Sequence, residues 1–151
     1  MISLKRKQSG FTIVELLIVI VVIGILAALV VTTFSGIQQK GRDKERQTDI
    51  NAVHQQVEAY YAQEGKYPSL SQVNTASFRQ ASMKGLDAEA LKDPKGTAQT
   101  LVAAPAANSY AYAVLASDDT ACDNTSKDCT KYTLTATNEG SPATYAKSSL
   151  N

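Results

Sequence analysis

The sequence predicts an α+β chain in which one long N-terminal helix packs on a small antiparallel sheet. Three observations lead there. The stretch from Phe11 to Phe34 holds a single charged residue, Glu15. Apolar residues then recur at helical spacing through Ile50, Val53, Val57 and Tyr60, with Tyr61 adjoining. Further along, SYAYAVLA alternates Tyr110, Tyr112 and Val114 against small residues, and YTLTAT alternates Tyr132, Leu134 and Ala136 against threonines, the period of half-buried strands. At 151 residues, 44% hydrophobic and formally +1, the chain has room for one compact domain. Its near-neutral charge, with basic residues interleaved among acids, gives no support for nucleic-acid binding.

The apolar run is the first element. From Leu16 to Phe34 it carries no charge, and Thr32 and Thr33 are its polar residues. At about 1.5 Å per helical residue it reaches roughly 28 Å, enough to cross a bilayer core. Lys5, Arg6 and Lys7 precede it, but Lys40, Arg42, Lys44 and Arg46 nearly balance them on the far side, so charge bias alone does not orient the span. Cys122 and Cys129, a pair without metal partners, fit an oxidising compartment and place the C-terminal part outside. The run is too long for a secretory signal peptide and contains a carboxylate. A plain anchor accounts for the length and the basic flank but gives Glu15 no purpose, although a charge at bilayer depth costs about 2.5 to 3.5 kcal/mol.

The stretch SGFTIVELLIVIVVIGILAAL behind a short basic leader resembles, without a gap, the N-terminus of the type IV pilin and pseudopilin family, over roughly Lys5 to Leu29. The resemblance implies that a membrane-embedded aspartic peptidase cuts between Gly10 and Phe11 and methylates the new amine of Phe11. It also implies that Glu15 pairs with the Phe11 ammonium of a neighbouring subunit, which makes a buried carboxylate far cheaper. Gly24 and Ala28, with Ala27 beside them, form a small-x-x-x-small pair that lets helices approach closely, although both residue types are also simply frequent in membrane helices. Thr32 stands where many family members carry a proline, and Val30 to Thr33 only weaken helix propensity by β-branching. The unravelling implied for assembled filaments therefore loses its sequence signal. These features divide the chain into a cleaved leader (1–10), a transmembrane and assembly helix (11–36), its soluble continuation (37–64) and a small globular domain (65–151).

In the continuation, Arg42 with Glu45, Asp43 with Arg46, and Arg46 with Asp49 are spaced to pair weakly on a solvated face. Gly65 stops the helix, and Tyr67-Pro68 cannot readily continue it. The pattern YYAQEGKYP is also common here in pilins and secretion pseudopilins. Ser69 with Gln72 and Ser77 with Gln80 read as capping boxes, so one or two short helices are expected between Ser69 and Lys92. Lys92 to Gly96 is a turn, and TYAKSS from Thr144 to Ser149 is a third, weaker strand candidate. An antiparallel sheet would cover the Ile50 to Tyr61 stripe, an arrangement that resembles the pilin fold.

Ahead of YTLTAT lies DDTACDNTSKDC, in which six turn-forming residues separate Cys122 from Cys129. That spacing suits a disulfide-closed loop worth roughly 2.5 kcal/mol in the chain-entropy model. It is not a C-x-x-C redox pair, and zinc would need further ligands where His54 is the only histidine. Some secretion pseudopilins hold calcium in a C-terminal loop, and Asp118, Asp119, Asp123 and Asp128 raise that question. The EF-hand ligand order and its glycine are absent, so a solvated loop is expected. Asn124-Thr125-Ser126 matches a glycosylation sequon, a pattern short enough to recur by chance.

No catalytic constellation is present, so neither an enzyme nor a cofactor or metal site is expected, and His54 is expected to face solvent or the domain surface. The favoured expectation is a type IV pilin: a structural subunit that begins as a single-pass cytoplasmic membrane protein and is polymerised into an extracellular pilus. Its partners would be copies of itself, the prepilin peptidase, the assembly machinery and, before assembly, the membrane. The alternatives are a pseudopilin of a type II secretion or competence system, or a permanently anchored binding module. What the fibre touches, DNA or a host surface included, is not encoded in these motifs.

Overall fold

A computed structural model describes residues 10–151; the basic leader expected at 1–10 lies, up to Ser9, outside the described residues. The elements in chain order are α1 (Ile13–Glu64), α2 (Leu70–Asn74), α3 (Ala76–Ser82), a 3-10 turn (Ala88–Leu91), β1 (Tyr110–Leu115), β2 (Lys131–Thr137) and β3 (Thr144–Ser148). The chain divides into two units, one reaching to Gln38 and one spanning Gln39–Asn151. α1 contributes to both.

In the first unit α1 stays helical through the β-branched residues around 30–33. Ile13, Leu16, Ile23, Leu26, Leu29, Phe34 and Ile37 are each more than half exposed. This stretch is long and apolar enough to cross a membrane.

The second unit is the expected helix-on-sheet layer. Ile50, Val53, Val57 and Tyr60 of α1 are buried, so the stripe at helical spacing is the core-facing one. β1 pairs antiparallel with β2, and β2 with β3, giving the order β1-β2-β3. The register sets Tyr110 opposite Ala136, Tyr112 opposite Leu134 and Val114 opposite Tyr132, so the large residues of both strands share one face. Burial alternates strictly along β2. Along β1 Ala111 is buried as well, where Val102 bridges it in parallel from the outer edge.

Local sequence signals set most boundaries. α1 ends at Glu64, and Gly65 takes φ +71, the left-handed conformation that a glycine adopts without strain. Ser69 caps α2 through the expected box: Gln72 N–H donates to Ser69 Oγ and Ser69 N–H to Gln72 Oε1. The box expected at Ser77 and Gln80 does not form. Thr75 closes α2 and opens α3, so Ser77 already lies inside the helix, where its hydroxyl cannot cap. Gly96 is required by packing, because a Cβ there would lie 2.5 Å from the Asn108 carbonyl.

Candidate functional site

The residues singled out near the N-terminus lie on the first turn of α1 and just before it. Gly10 and Phe11 are exposed and precede the helix, so the bond between them is outside it. Thr12 and Glu15 form a reciprocal cap: Thr12 N–H and Oγ1–H donate to Glu15 Oε2 at 2.8 and 2.7 Å, and Glu15 N–H donates back to Thr12 Oγ1 at 3.3 Å. Glu15 is thus anchored on one oxygen, while Oε1 accepts no hydrogen bond among the described residues. The T-x-x-E pattern of Thr12-Ile13-Val14-Glu15 is the sequence signal for this cap, and it adds Thr12 to the site beside the charge of Glu15. Gly24 and Ala28 are exposed on α1, and a Cβ on Gly24 would meet nothing within 4 Å, so its smallness serves no contact among the described residues.

The charge run at the start of the second unit is not solvated throughout, although Lys40, Lys44 and Glu45 are exposed. Arg46 is 1% exposed and lies at the centre of an ion-pair node. Its Nε donates to Asp93 Oδ2 at 2.7 Å and its Nη2 to Asp93 Oδ1 at 3.1 Å, a two-pronged pair with a carboxylate that is itself buried. Its Nη1 donates to Asp43 Oδ1 at 2.7 Å and to Glu139 Oε1 at 3.1 Å. Glu139 also takes two bonds of 2.6 Å from Arg42, and one of 2.9 Å from Lys95. The backbone N–H groups of Glu139 and Gly140 close on Asp43, each at 2.9 Å. Of the three local pairs expected here, only Asp43 with Arg46 forms. Arg42 reaches Glu139 instead of Glu45, and Asp49 accepts a 2.7 Å bond from the Tyr110 hydroxyl. Tertiary partners outcompete the weak neighbours because they are fixed and desolvated. Arg42, then Lys95, hold the Glu139 carboxyl well below the usual range, whereas burial pushes Asp49 up.

Cys122 and Cys129 form the expected disulfide, with Cα atoms 5.2 Å apart. The loop it closes presents Asn124, at φ 63, as a latch. Asn124 Nδ2 donates to Tyr67 O at 2.7 Å and to Gln72 Oε1 at 2.9 Å, while its Oδ1 accepts from Cys129 N–H at 2.9 Å. Both amide hydrogens of the sequon asparagine are therefore engaged inside the fold, which opposes its modification. The aspartates are matched one by one. Asp118 pairs with Lys127, Asp119 with Lys131 and Asp128 with Lys66. Asp123 accepts the N–H groups of Thr125, Ser126 and Lys127, which pull its carboxyl down to about 2. Among the described residues no group of three or more His, Cys, Asp or Glu could hold a metal ion.

His54 is half-buried at the surface of the second unit. Its Nδ1 lies 2.6 Å from the Tyr132 hydroxyl, which is also 2.7 Å from Glu58 Oε1. The single hydroxyl hydrogen goes to the carboxylate, so His54 Nδ1 is the donor in its own bond.

Residues 5–31 match the prokaryotic N-terminal methylation motif family. The chain is 40% identical over 68 residues to type II secretion system core protein G of Aeromonas hydrophila, covering 45% of this chain and 48% of that one. It is 33% identical over 104 residues to the protein of the same name from Escherichia coli K12, covering 69% of this chain and 70% of that one. It is also 31% identical over 61 residues to type IV major pilin protein PilA of Myxococcus xanthus, covering 40% of this chain and 28% of that one. The chain thus spans about half the length of the first of these relatives, 48%. No solved structure matches it. With the methylation motif at its N-terminus, a long apolar helix continuing into a helix-on-sheet unit, and a relative one-third identical across most of both sequences, the chain belongs to the type IV pilin and pseudopilin family.

Proposed function

We propose that this chain is the structural subunit of a pilin-like filament, held in the membrane by residues 11–36, cut between Gly10 and Phe11, methylated on Phe11 and polymerised through its apolar helix. The observation that carries this reading is the exposed apolar stretch of α1, headed by a carboxylate with one oxygen fixed by Thr12 and the other open to a partner. The Phe11 ammonium of an adjoining subunit is the group that would complete it.

Two branches of the family share these motifs. The secretion branch is favoured by the 104-residue likeness to the Escherichia coli secretion protein, well beyond the length of the motif. The pilin branch, expected from the sequence, is supported by the Myxococcus pilin relative and by a C-terminal loop whose aspartates are occupied by lysines and backbone N–H groups. The test has two parts. Mass spectrometry of the mature protein should give a methylated Phe11 at its N-terminus, and Gly10→Leu should leave the uncut precursor. Loss of the gene should then trap secreted proteins inside the cell if the secretion branch holds, or remove surface fibres if the pilin branch holds. An unprocessed N-terminus in the assembled protein would sink both.

A further inference from the structure

A cavity of about 490 Å³ lies between α3, the 3-10 turn and the segment around Gln99. Its polar lining is Arg79, Gln80, Lys84, Asp87 and Gln99, and its apolar lining includes Met83 and Leu86. Arg79 is the unusual member. It is only 9% exposed, yet among the described residues its one side-chain hydrogen bond is from Nη1 to the Val73 carbonyl at 2.6 Å. Among the described residues no carboxylate pairs with it, whereas the other buried guanidinium, Arg46, is held by three. A buried cation without a counter-ion is costly, and the open space beside it is where a counter-ion can sit. Lys84 stands exposed at the rim of that space, with no ion pair of its own among the described residues.

The charge of the lining selects the ligand. Arg79 and Lys84 against Asp87 leave one net positive charge, since two cations less one anion is one. Asp87 is committed to the fold, its Oδ1 capping the 3-10 turn through Glu89 N–H at 3.0 Å. One net charge matches a monoanion. A phosphate dianion would exceed it and would face Asp87. The planar fork of Arg79 fits a carboxylate, and Met83 with Leu86 offer an apolar surface to a short stem. We infer that this cavity binds a carboxylate carried on a short apolar stem, with Arg79 as the buried counter-ion and Lys84 at the entrance. This goes beyond the filament-subunit reading and does not depend on it. Two sources carry that chemistry: a free small carboxylic acid, or a glutamate side chain of a polypeptide.

The experiment follows amide NMR shifts of the full chain in detergent micelles during separate titrations with butyrate, the blocked tripeptide Ala-Glu-Ala, its Ala-Gln-Ala counterpart and inorganic phosphate. Saturable shifts confined to residues 79–88 and Gln99, with butyrate or the glutamate peptide but not the glutamine peptide, are expected. Tighter binding of the peptide than of butyrate assigns the site to a polypeptide, and the reverse order to a free acid. Arg79→Gln and Lys84→Gln should each weaken binding at least about tenfold, as expected for losing a charge-assisted bond. If Arg79→Gln does not fold, Lys84→Gln at the exposed rim decides. Absence of saturable shifts with both carboxylates, tighter binding of phosphate, or wild-type affinity in the folded variants would overturn the assignment.

Discussion

Replacing Arg46 by methionine should destabilise the second unit far more than removal of an ordinary helix-surface arginine. The substitution deletes four hydrogen bonds, two to Asp93 at 2.7 and 3.1 Å, one to Asp43 at 2.7 Å and one to Glu139 at 3.1 Å. Glu139 keeps Arg42 and Lys95, and Asp43 keeps two backbone N–H donors. Asp93 is left worst off: 1% exposed, it retains the Lys95 N–H at 2.8 Å. Breaking a buried pair from one side costs about 3 to 5 kcal/mol, because the survivor remains charged in a dry site. An exposed pair would cost about 0 to 1 kcal/mol, so the two descriptions of this region differ measurably. Urea denaturation of the full chain in detergent, followed by near-ultraviolet circular dichroism, reads the loss through the seven tyrosines, with no tryptophan to interfere. Arg46→Met combined with Asp93→Leu should recover most of it, since the orphaned charge goes too. A single-variant loss below about 1 kcal/mol would refute the reasoning.

Asp49 offers the opposite sign. Burial raises its carboxyl above the ordinary 3.8, so the native state binds the proton more readily than the unfolded chain and the ionised form is the less stable one. Asp49→Asn, which keeps an acceptor for the Tyr110 hydroxyl, should raise the melting temperature at neutral pH, with the gain fading as pH falls through the raised value. A gain independent of pH would contradict this. For Glu139 the shift is downward from 4.5, so its contribution is present above that pH and is lost as the pH falls well below it. Glu139→Gln should therefore narrow the acid-induced drop in stability between the two proteins, measured as melting temperature against pH. Asn124→Ala removes three bonds at about 1 kcal/mol each and should cost about 2 to 3 kcal/mol by urea denaturation. Its effect should overlap with that of Cys122→Ser in a double-mutant cycle, because the disulfide loop presents the latch; additive losses would show them independent. Glu15→Leu removes an insertion penalty of about 2.5 to 3.5 kcal/mol and should leave membrane levels intact. It also removes the carboxylate open to the Phe11 ammonium, so sheared fibres should be scarce; abundant fibres would return Glu15 to a local capping role.

The sequence by itself determined whatever is written at short range. The stripe at Ile50, Val53, Val57 and Tyr60, the alternation along Tyr110 to Val114 and Tyr132 to Ala136, the stop at Gly65, the cap at Ser69 and the loop between Cys122 and Cys129 all follow from periods or spacings of a few residues. The cap between Thr12 and Glu15 is also local, written in a T-x-x-E spacing of residues one turn apart. The second box failed for the same kind of reason: a cap is local, but which of two neighbouring residues opens the helix depends on where the previous helix ends, and Thr75 served both. Apart from the local pair of Arg46 with Asp43, the node at Arg46 was decided by the tertiary structure. Its partners lie 3, 47 and 93 residues away, and nothing in the run of alternating charges distinguishes a residue that closing loops will bury from one left in water. The same holds for the unpaired guanidinium of Arg79. Burial is a property of the folded chain as a whole, and the energy of a charge depends on it more than on any neighbour in sequence.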